Sequence, residues 1–242
     1  MTTSKPRTIL ISGATSGIGR ASCELLLQHG HRVIGIGRDF SKCNFDTDSF
    51  TAVEMDLGDI KKLPEQLTTQ AKQHQDIDAI INCAGQGHFG SLEQFSFKQI
   101  YKLMDLNFTS HAFVCRALVP QLKKLDHSNI IFIGSEAALE GTQKGSIYCA
   151  SKFALRGFAQ ALRQECSNSN VHVSIINPGM VKTEFFDELN FEPGKDSSNY
   201  IEANDVAEAI KMILNCRGGT VIDEINLSPL KKVVSFKKTD SQ

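Results

Sequence analysis

Seven short apolar runs punctuate the chain, and between them the apolar positions fall at helical spacing. The runs are "TILIS" (Thr8–Ser12), "RVIGIG" (Arg32–Gly37), "TAVEMD" (Thr51–Asp56), "DAIINCA" (Asp78–Ala84), "NIIFIGS" (Asn129–Ser135), "VHVSIIN" (Val171–Asn177) and "TVIDEINL" (Thr220–Leu227). Most are continuously apolar rather than alternating, which predicts parallel strands covered on both faces. Strands joined by helical crossovers predict an α/β protein built on one open, doubly wound, seven-stranded parallel sheet with helices on both faces. No linker, repeat or low-complexity segment divides the sequence, so residues 1–242 are expected to form a single domain. The longest irregular stretch, "FFDELNFEPGKDSSNY" (Phe185–Tyr200), is the expected substrate lid. It ends before "ANDVAEAIKMIL", where Asn204 or Asp205 is expected to cap a helix.

Composition narrows the function. With 41% hydrophobic and 22% charged residues, the chain has the balance of an ordinary globular protein. A net charge of −1 removes the electrostatic case for a nucleic-acid or membrane-surface partner. The basic stretch "KKVVSFKK" near the end is expected to be a solvated terminus. No apolar run reaches membrane-spanning length, and "MTTSKPRTIL" lacks the apolar core of a signal peptide. Seven cysteines without metal-ligand spacing fit reduced thiols, so the expected location is the cytoplasm and no metal is expected.

"ILISGATSGIGRASCELLL" joins the first strand to the first helix through Gly13, Gly17 and Gly19. Glycines there let the backbone turn tightly and approach a pyrophosphate, whose charge the helix N-terminus stabilises. The spacing G-x-x-x-G-x-G differs from the commoner G-x-G-x-x-G, and a glycine turn without a ligand is the alternative. Following the first strand and opening a long helix, it is expected to be a Rossmann turn with Gly13, Thr15, Ser16, Gly17, Ile18 and Gly19 as phosphate contacts. At the end of the second strand, a carboxylate would grip an adenine ribose diol, but here Arg38 follows Gly37. A guanidinium at that point holds a 2′-phosphate, so NADP(H) is expected over NAD(H). Asp39 could instead neutralise Arg38 as a solvated pair.

"SIYCASK" places Tyr148 and Lys152 four positions apart, on one face of a helix. Alone, such a pair reads as a tyrosine packed on a lysine stem at the surface. The wider pattern changes that reading. "SGATSGIG" (Ser12–Gly19), "MDL" (Asp56, Leu57), "NCAG" (Asn82–Gly85), "LN" (Asn107), "IGS" (Ser135), Tyr148 with Lys152, and "NPGMVKT" (Asn177–Thr183) follow one another in order. Together they resemble the short-chain dehydrogenase/reductases over nearly the whole chain. Cys83 in "NCAG" and Ser12 in "SGATSGIG" depart from the commoner Asn and Thr.

The resemblance implies a strand order of 3-2-1-4-5-6-7 and a catalytic set of Asn107, Ser135, Tyr148 and Lys152. It implies that Asp56 and Leu57 meet the adenine and that Asn82, Ala84 and Gly85 line the cofactor. Pro178, Gly179, Val181 and Thr183 would hold the nicotinamide end. Asn107 would interrupt its helix and hold a water beside Lys152. A homodimer or homotetramer through the fourth and fifth helices is also implied. By the same resemblance, Lys152 would bond the nicotinamide ribose, Tyr148 would exchange a proton with a small-molecule carbonyl or alcohol, and Ser135 would share the reacting oxygen.

Elementary electrostatics gives the Tyr–Lys pair a reason. Bringing a phenol from pKa about 10 to about 7 requires roughly 4 kcal/mol. One ammonium about 4 Å away supplies on the order of 4 kcal/mol at an effective dielectric near 20. Lys152 is therefore expected to make Tyr148 titrate near neutrality. His88, Glu136, Met180, Phe185 and Phe186 are candidates for the site mouth or an apolar wall, and Cys149 for a small apolar filler. "ANDVAEAI", "GQGHFGSLEQ" and the closing "VIDEINLSPLKKVV" look like reductases grouped with 3-hydroxy acid, serine and sepiapterin dehydrogenases. Reduction of 3-oxoacyl chains on a carrier protein is the alternative within the enzyme class. A catalytically silent NADP-sensing regulator is the alternative outside it.

Overall fold

A computed structural model describes residues 5–45 and 47–237. Residues 1–4 of the opening stretch and Lys238 of the basic stretch lie outside the described residues. The elements of the main layer are β1 (Thr8–Ser12), α1 (Gly17–Gln28), β2 (Arg32–Gly37), β3 (Phe50–Glu54), α2 (Leu63–Gln73) and β4 (Ala79–Asn82). They continue with α3 (Phe97–Met104), α4 (Ser110–Leu122), β5 (Ser128–Ile133), α5 (Ser146–Cys166) and β6 (Val171–Pro178). After β6 come a short strand β7 (Phe191–Pro193), α6 (Ala203–Leu214), β8 (Glu224–Leu227) and β9 (Val234–Phe236).

The main sheet is parallel, with order β3-β2-β1-β4-β5-β6-β8, the doubly wound arrangement that the apolar runs predict. Alternate residues of each strand feed two cores. Leu10, Ile34, Ile80, Ile130 and Val173 pack with Leu63, Leu67, Val114, Leu118, Leu155 and Leu162 of α2, α4 and α5. Ile9, Ile11, Val33, Ile81, Ile131 and Ile176 pack with Cys23, Leu26, Val206, Ile210 and Ile213 of α1 and α6. Burial on both faces is why these strands read as unbroken apolar runs. The order reverses between β1 and β4, and the crevice beyond their C-terminal ends is where such sheets take ligands.

The last strand of the main sheet is shorter than the apolar run suggests, covering Glu224–Leu227 rather than Thr220–Leu227. The α6 helix starts one residue before the expected caps. Glu202 is its N-cap, and Asp205 acts from inside the first turn, its Oδ2 accepting from Glu202 N at 2.9 Å.

The larger correction concerns the end of the chain. The stretch Phe185–Tyr200 is not irregular throughout, and "KKVVSFKK" is not a free terminus among the described residues. β9 pairs antiparallel with β7, matching Phe191 to Phe236 and Pro193 to Val234. Flanking bonds extend the pairing: Gly194 N donates to Val233 O at 3.0 Å, Lys231 N to Ser198 O at 2.8 Å, and Lys237 N to Asn190 O at 2.9 Å. The apolar alternation in "VVSF" is strand-like, but its partner lies some forty residues earlier, so local composition read only as basic and polar.

Candidate active site

The glycine-rich turn between β1 and α1 is built by steric necessity. Gly13 and Gly17 have φ of +68° and +49°, the left-handed region that side chains resist. A Cβ on Gly19 would sit 2.1 Å from Gly13 O, so α1 starts against the turn itself. Ser16 is the N-cap and makes no side-chain cap bond. The first N–H groups of α1 have no intrahelical acceptor, which makes this end an anion cradle. Ser12 Oγ accepts from Cys83 N at 3.0 Å and Ala84 N at 3.2 Å, tying the β1 end to the loop after β4. That explains why a hydroxyl stands at position 12. The methyl of Thr15 lies over Gly37, and Thr183 packs against Gly17 across the turn.

Arg38, Asp56 and Lys62 border an open recess of about 360 Å³ with Glu54, Met55, Asp59 and Gln66. Lys62 pairs with Asp59 at 3.1 Å. Arg38 is exposed and forms no ion pair among the described residues. Asp39 does not neutralise it: its Oδ1 accepts from Ser41 N at 2.8 Å, a bond that holds its carboxyl below the usual range. The guanidinium is thus available to an anion. Asp56 is exposed with Oδ1 on Gly58 N at 2.9 Å, and Leu57 is buried beside it.

The proton-transfer candidates come from three elements. α5 carries Tyr148 and Lys152 on one face, both buried, at 7% and 5% exposure. Lys152 Nζ donates to Ile133 O at 3.0 Å and lies 5.9 Å from the Tyr148 ring centroid. Ser135, just past β5, opens a short turn with Oγ accepting from Ala137 N at 3.1 Å. Asn107 sits in a widened π turn, Asp105–Thr109, between α3 and α4. Its side chain clamps the loop after β4: Oδ1 accepts from Gln86 N and Nδ2 donates to Gln86 O, each at 3.0 Å. Nδ2 also donates to Ser151 Oγ at 3.2 Å, and that hydroxyl donates to Tyr148 O at 2.7 Å. Gly85 faces the same point, since a Cβ there would lie 3.3 Å from Asn107 Oδ1 and 3.7 Å from Lys152 Nζ.

The expected neutral-pH tyrosine is not what these residues produce by themselves. Burial pushes the Tyr148 phenol up to about 12, although the Ser135 hydroxyl pulls the other way. Burial also brings Lys152 down to about 8. Low dielectric penalises both charged forms, and the ammonium is aimed at the Ile133 carbonyl rather than at the phenol. Desolvation of the phenol thus outweighs the attraction of one ammonium.

The remaining expected contacts are spread around this centre. Ala84 is nearly buried and Asn82 fully buried, with Asn82 Nδ2 on Cys115 Sγ at 3.7 Å, beneath the crevice rather than on its surface. Cys83 lies beside Lys152, and burial raises its thiol to about 12. Pro178 ends β6, and a Cβ on Gly179 would lie 3.3 Å from Glu136 Oε2. Val181 bridges to Ile201, and Thr183 Oγ1 donates to Val181 O at 3.3 Å. Sequence reasoning missed Gln86, Ser151 and His111. His111 is fully buried, its Nε2 2.8 Å from Ala84 O, and burial brings it down to about 3, so it is a neutral donor to that carbonyl. Its place four residues after Asn107, on the same helix face, was the available signal.

A family model described as short chain dehydrogenase matches residues 7–193. The chain belongs to the short-chain dehydrogenase family. Among its relatives, a 3-ketodihydrosphingosine reductase of Bacteroides thetaiotaomicron is 31% identical over 187 residues, covering 77% of this chain and 68% of that protein. An uncharacterized oxidoreductase of Staphylococcus epidermidis is 26% identical over 230 residues, covering 93% and 98%. Two solved structures share the fold: a closed form of serine dehydrogenase complexed with NADP+ (TM-score 0.81, 23% identity, 97% and 100% of the two chains) and an alcohol dehydrogenase from the archaeon Thermococcus sibiricus complexed with 5-hydroxy-NADP (TM-score 0.84, 20% identity, 95% and 99%). This short-chain dehydrogenase is an oxidoreductase of CH–OH groups that uses a nicotinamide cofactor. The residues present fit that group: a Cβ at Gly13 or Gly19 would clash with the backbone of Ala84 or Gly13, so the tight turn needs both glycines, and α1 offers its N-terminus to a diphosphate. Among the described residues no helix is long and apolar enough to cross a membrane.

Proposed function

We propose that this short-chain dehydrogenase interconverts a carbonyl and an alcohol with NADP(H), using Tyr148 as general acid and base. The observation that carries the reading is the convergence of Tyr148, Lys152 and Ser135 beside the Asn107 clamp at the C-terminal mouth of β4 and β5. The cofactor, when bound, supplies or accepts the hydride. Gly13, Thr15, Ser16, Gly17, Ile18 and Gly19 would hold its diphosphate, and Arg38 its 2′-phosphate. Asp56 and Leu57 would flank the adenine. Ala84, Gly85, Pro178, Gly179, Val181 and Thr183 would line the nicotinamide end, with Asn82 buried below them.

In reduction, Tyr148 gives its proton to the oxygen of the substrate carbonyl as negative charge grows there. Ser135 stabilises that oxygen by donating a hydrogen bond. Lys152 holds its ammonium beneath the site, and its charge favours the phenolate left behind. Asn107 positions Gln86 and, through Ser151, the first turn of α5. Its widened turn is the expected seat of a water leading protons from Lys152 to solvent. Replacing Tyr148→Phe removes the proton and nothing else of size. Turnover is expected to fall by on the order of 10² or more while NADPH affinity changes little. Near-normal turnover in that variant refutes the role.

A silent sensor of NADP is the competing class, and a panel of carbonyls assayed by NADPH oxidation separates the two. Small 3-hydroxy acids and carrier-bound 3-oxoacyl chains are the substrates that the sequence resemblance suggests. We further propose a homodimer or homotetramer through the faces of α4 and α5, where Phe153 of α5 is exposed. Sedimentation at micromolar concentration tests it, and a monomer would remove it. Location in the cytoplasm and a single domain over residues 1–242 complete the reading.

A further inference from the structure

Five aromatic rings close a circuit around the proposed acid. Tyr148 lies 5.0 Å from Phe89, Phe89 lies 5.1 Å from Phe191, and Phe191 lies 5.9 Å from Phe186. Phe186 lies 5.2 Å from Phe185, which returns to Tyr148 at 6.1 Å. The rings come from four separate places: the loop after β4, α5, the turn after β6, and β7. Phe185 also rests on Gly87, where a Cβ would stand 2.5 Å from its ring. Leu103, Ala137 and Ile147 back the phenol.

Among the described residues, Lys232 and Lys237 of the C-terminal segment beside this cage are both engaged. Lys237 donates from Nζ to Phe186 O, at 2.5 Å, and to Asp187 O, at 3.1 Å, fastening the turn that bears Phe185 and Phe186. Lys232 is paired with Glu136 at 2.6 Å, and the Glu136 carboxylate sits against Gly179. A substrate carboxylate here would be desolvated by the phenyl rings. His88 turns its ring edge onto Phe95 rather than into the cage.

Tyr148 is buried, and Phe89 and Phe185 pack against its ring, so a substrate at its hydroxyl lies against those two rings. Phe185 is half-buried, as Phe89 and Phe191 are, and stands on a single short turn. Moving it breaks ring–ring contacts that a flat apolar substrate replaces and a small acid does not. β7 stays clamped by β9, so Phe191 remains as the opposite wall.

We propose that this site takes a bulky, uncharged carbonyl or alcohol with a flat aromatic or fused-ring face, and not a small hydroxy acid. The proposal rests on the catalytic reading for the place of the substrate, but its test is read by binding as well as by turnover. Calorimetry with the full chain, with and without NADP+, compares 2-naphthylmethanol against 3-hydroxybutyrate. Turnover with NADPH compares 2-naphthaldehyde against acetoacetate. The naphthyl compounds are expected to be favoured at least tenfold in both. Phe185→Leu and Phe191→Leu, which keep apolar volume but remove the ring, are expected to cut that preference about threefold to tenfold. Equal or stronger binding of 3-hydroxybutyrate overturns the proposal, as does failure of the naphthyl ligand to bind. A naphthyl preference in binding that survives in Tyr148→Phe supports it. The same preference without turnover in the native chain also supports it, while overturning the catalytic reading alone.

Discussion

Lys152→Met is expected to make the ligand-free protein more stable while abolishing its chemistry. Lys152 is buried, and its pKa falls from 10.5 in the unfolded chain to about 8. That drop of about 2.5 units corresponds to roughly 3 kcal/mol by which folding is opposed at neutral pH. Methionine fills a similar volume without the charge. It also gives up the bond to Ile133 O, leaving a buried carbonyl short of a donor at a cost of about 1–2 kcal/mol. The net gain is therefore about 1–2 kcal/mol, or roughly 3–6 °C in Tm for a chain of this size.

The pH dependence separates this cause from generic repacking. Because the folded pKa is the lower one, the unfolded chain binds the extra proton between about 8 and 10.5. Native stability thus rises with pH through that window, relative to the variant. By pH about 9.5 the penalty has shrunk by about 2 kcal/mol, and the two proteins should be equally stable. Urea unfolding at fixed protein concentration, at pH 7 and pH 9.5, measures the gap. A variant less stable than the native chain at pH 7, or a gap unchanged between the two pH values, refutes the reasoning. Turnover of the variant should fall by on the order of 10² or more.

The remaining predictions concern selectivity, the scaffold and the titration of the site. Arg38→Ala is expected to raise KM for NADPH about tenfold or more while shifting KM for NADH by less than threefold, measured by steady-state kinetics with both cofactors. Asn107→Ala removes the clamp on Gln86 and leaves its backbone groups and Ser151 short of partners; unfolding should show a loss of about 2–4 kcal/mol, together with weaker turnover. For carbonyl reduction, kcat/KM should decline as pH rises through about 8, where Lys152 loses its proton, and not near 7 as a simple phenol–ammonium pair suggests. A flat profile to pH 10 would remove Lys152 from the ionisations that matter.

Where residues determine structure through neighbours in sequence, the chain could be read directly. The unbroken apolar runs give the parallel sheet because both faces of each strand are covered, and Gly13, Gly17 and Gly19 give the phosphate turn because side chains clash there. Arg38 was legible as a residue but not as a free charge, since that depended on Asp39 turning to Ser41. The sign of the Tyr148 shift was not legible either, because it is decided by burial among residues from several separate parts of the chain. The same holds for the C-terminal strand. Its basic residues suggested solvent, yet Lys237 spends its charge on two carbonyls of the turn carrying Phe185 and Phe186. An exposed strand of three residues gains little from its own apolar contacts, so what fixes it is its partner's backbone. Pairing of that kind leaves almost no trace in local composition, and here it fixes one wall of the cage beside the Tyr148 phenol.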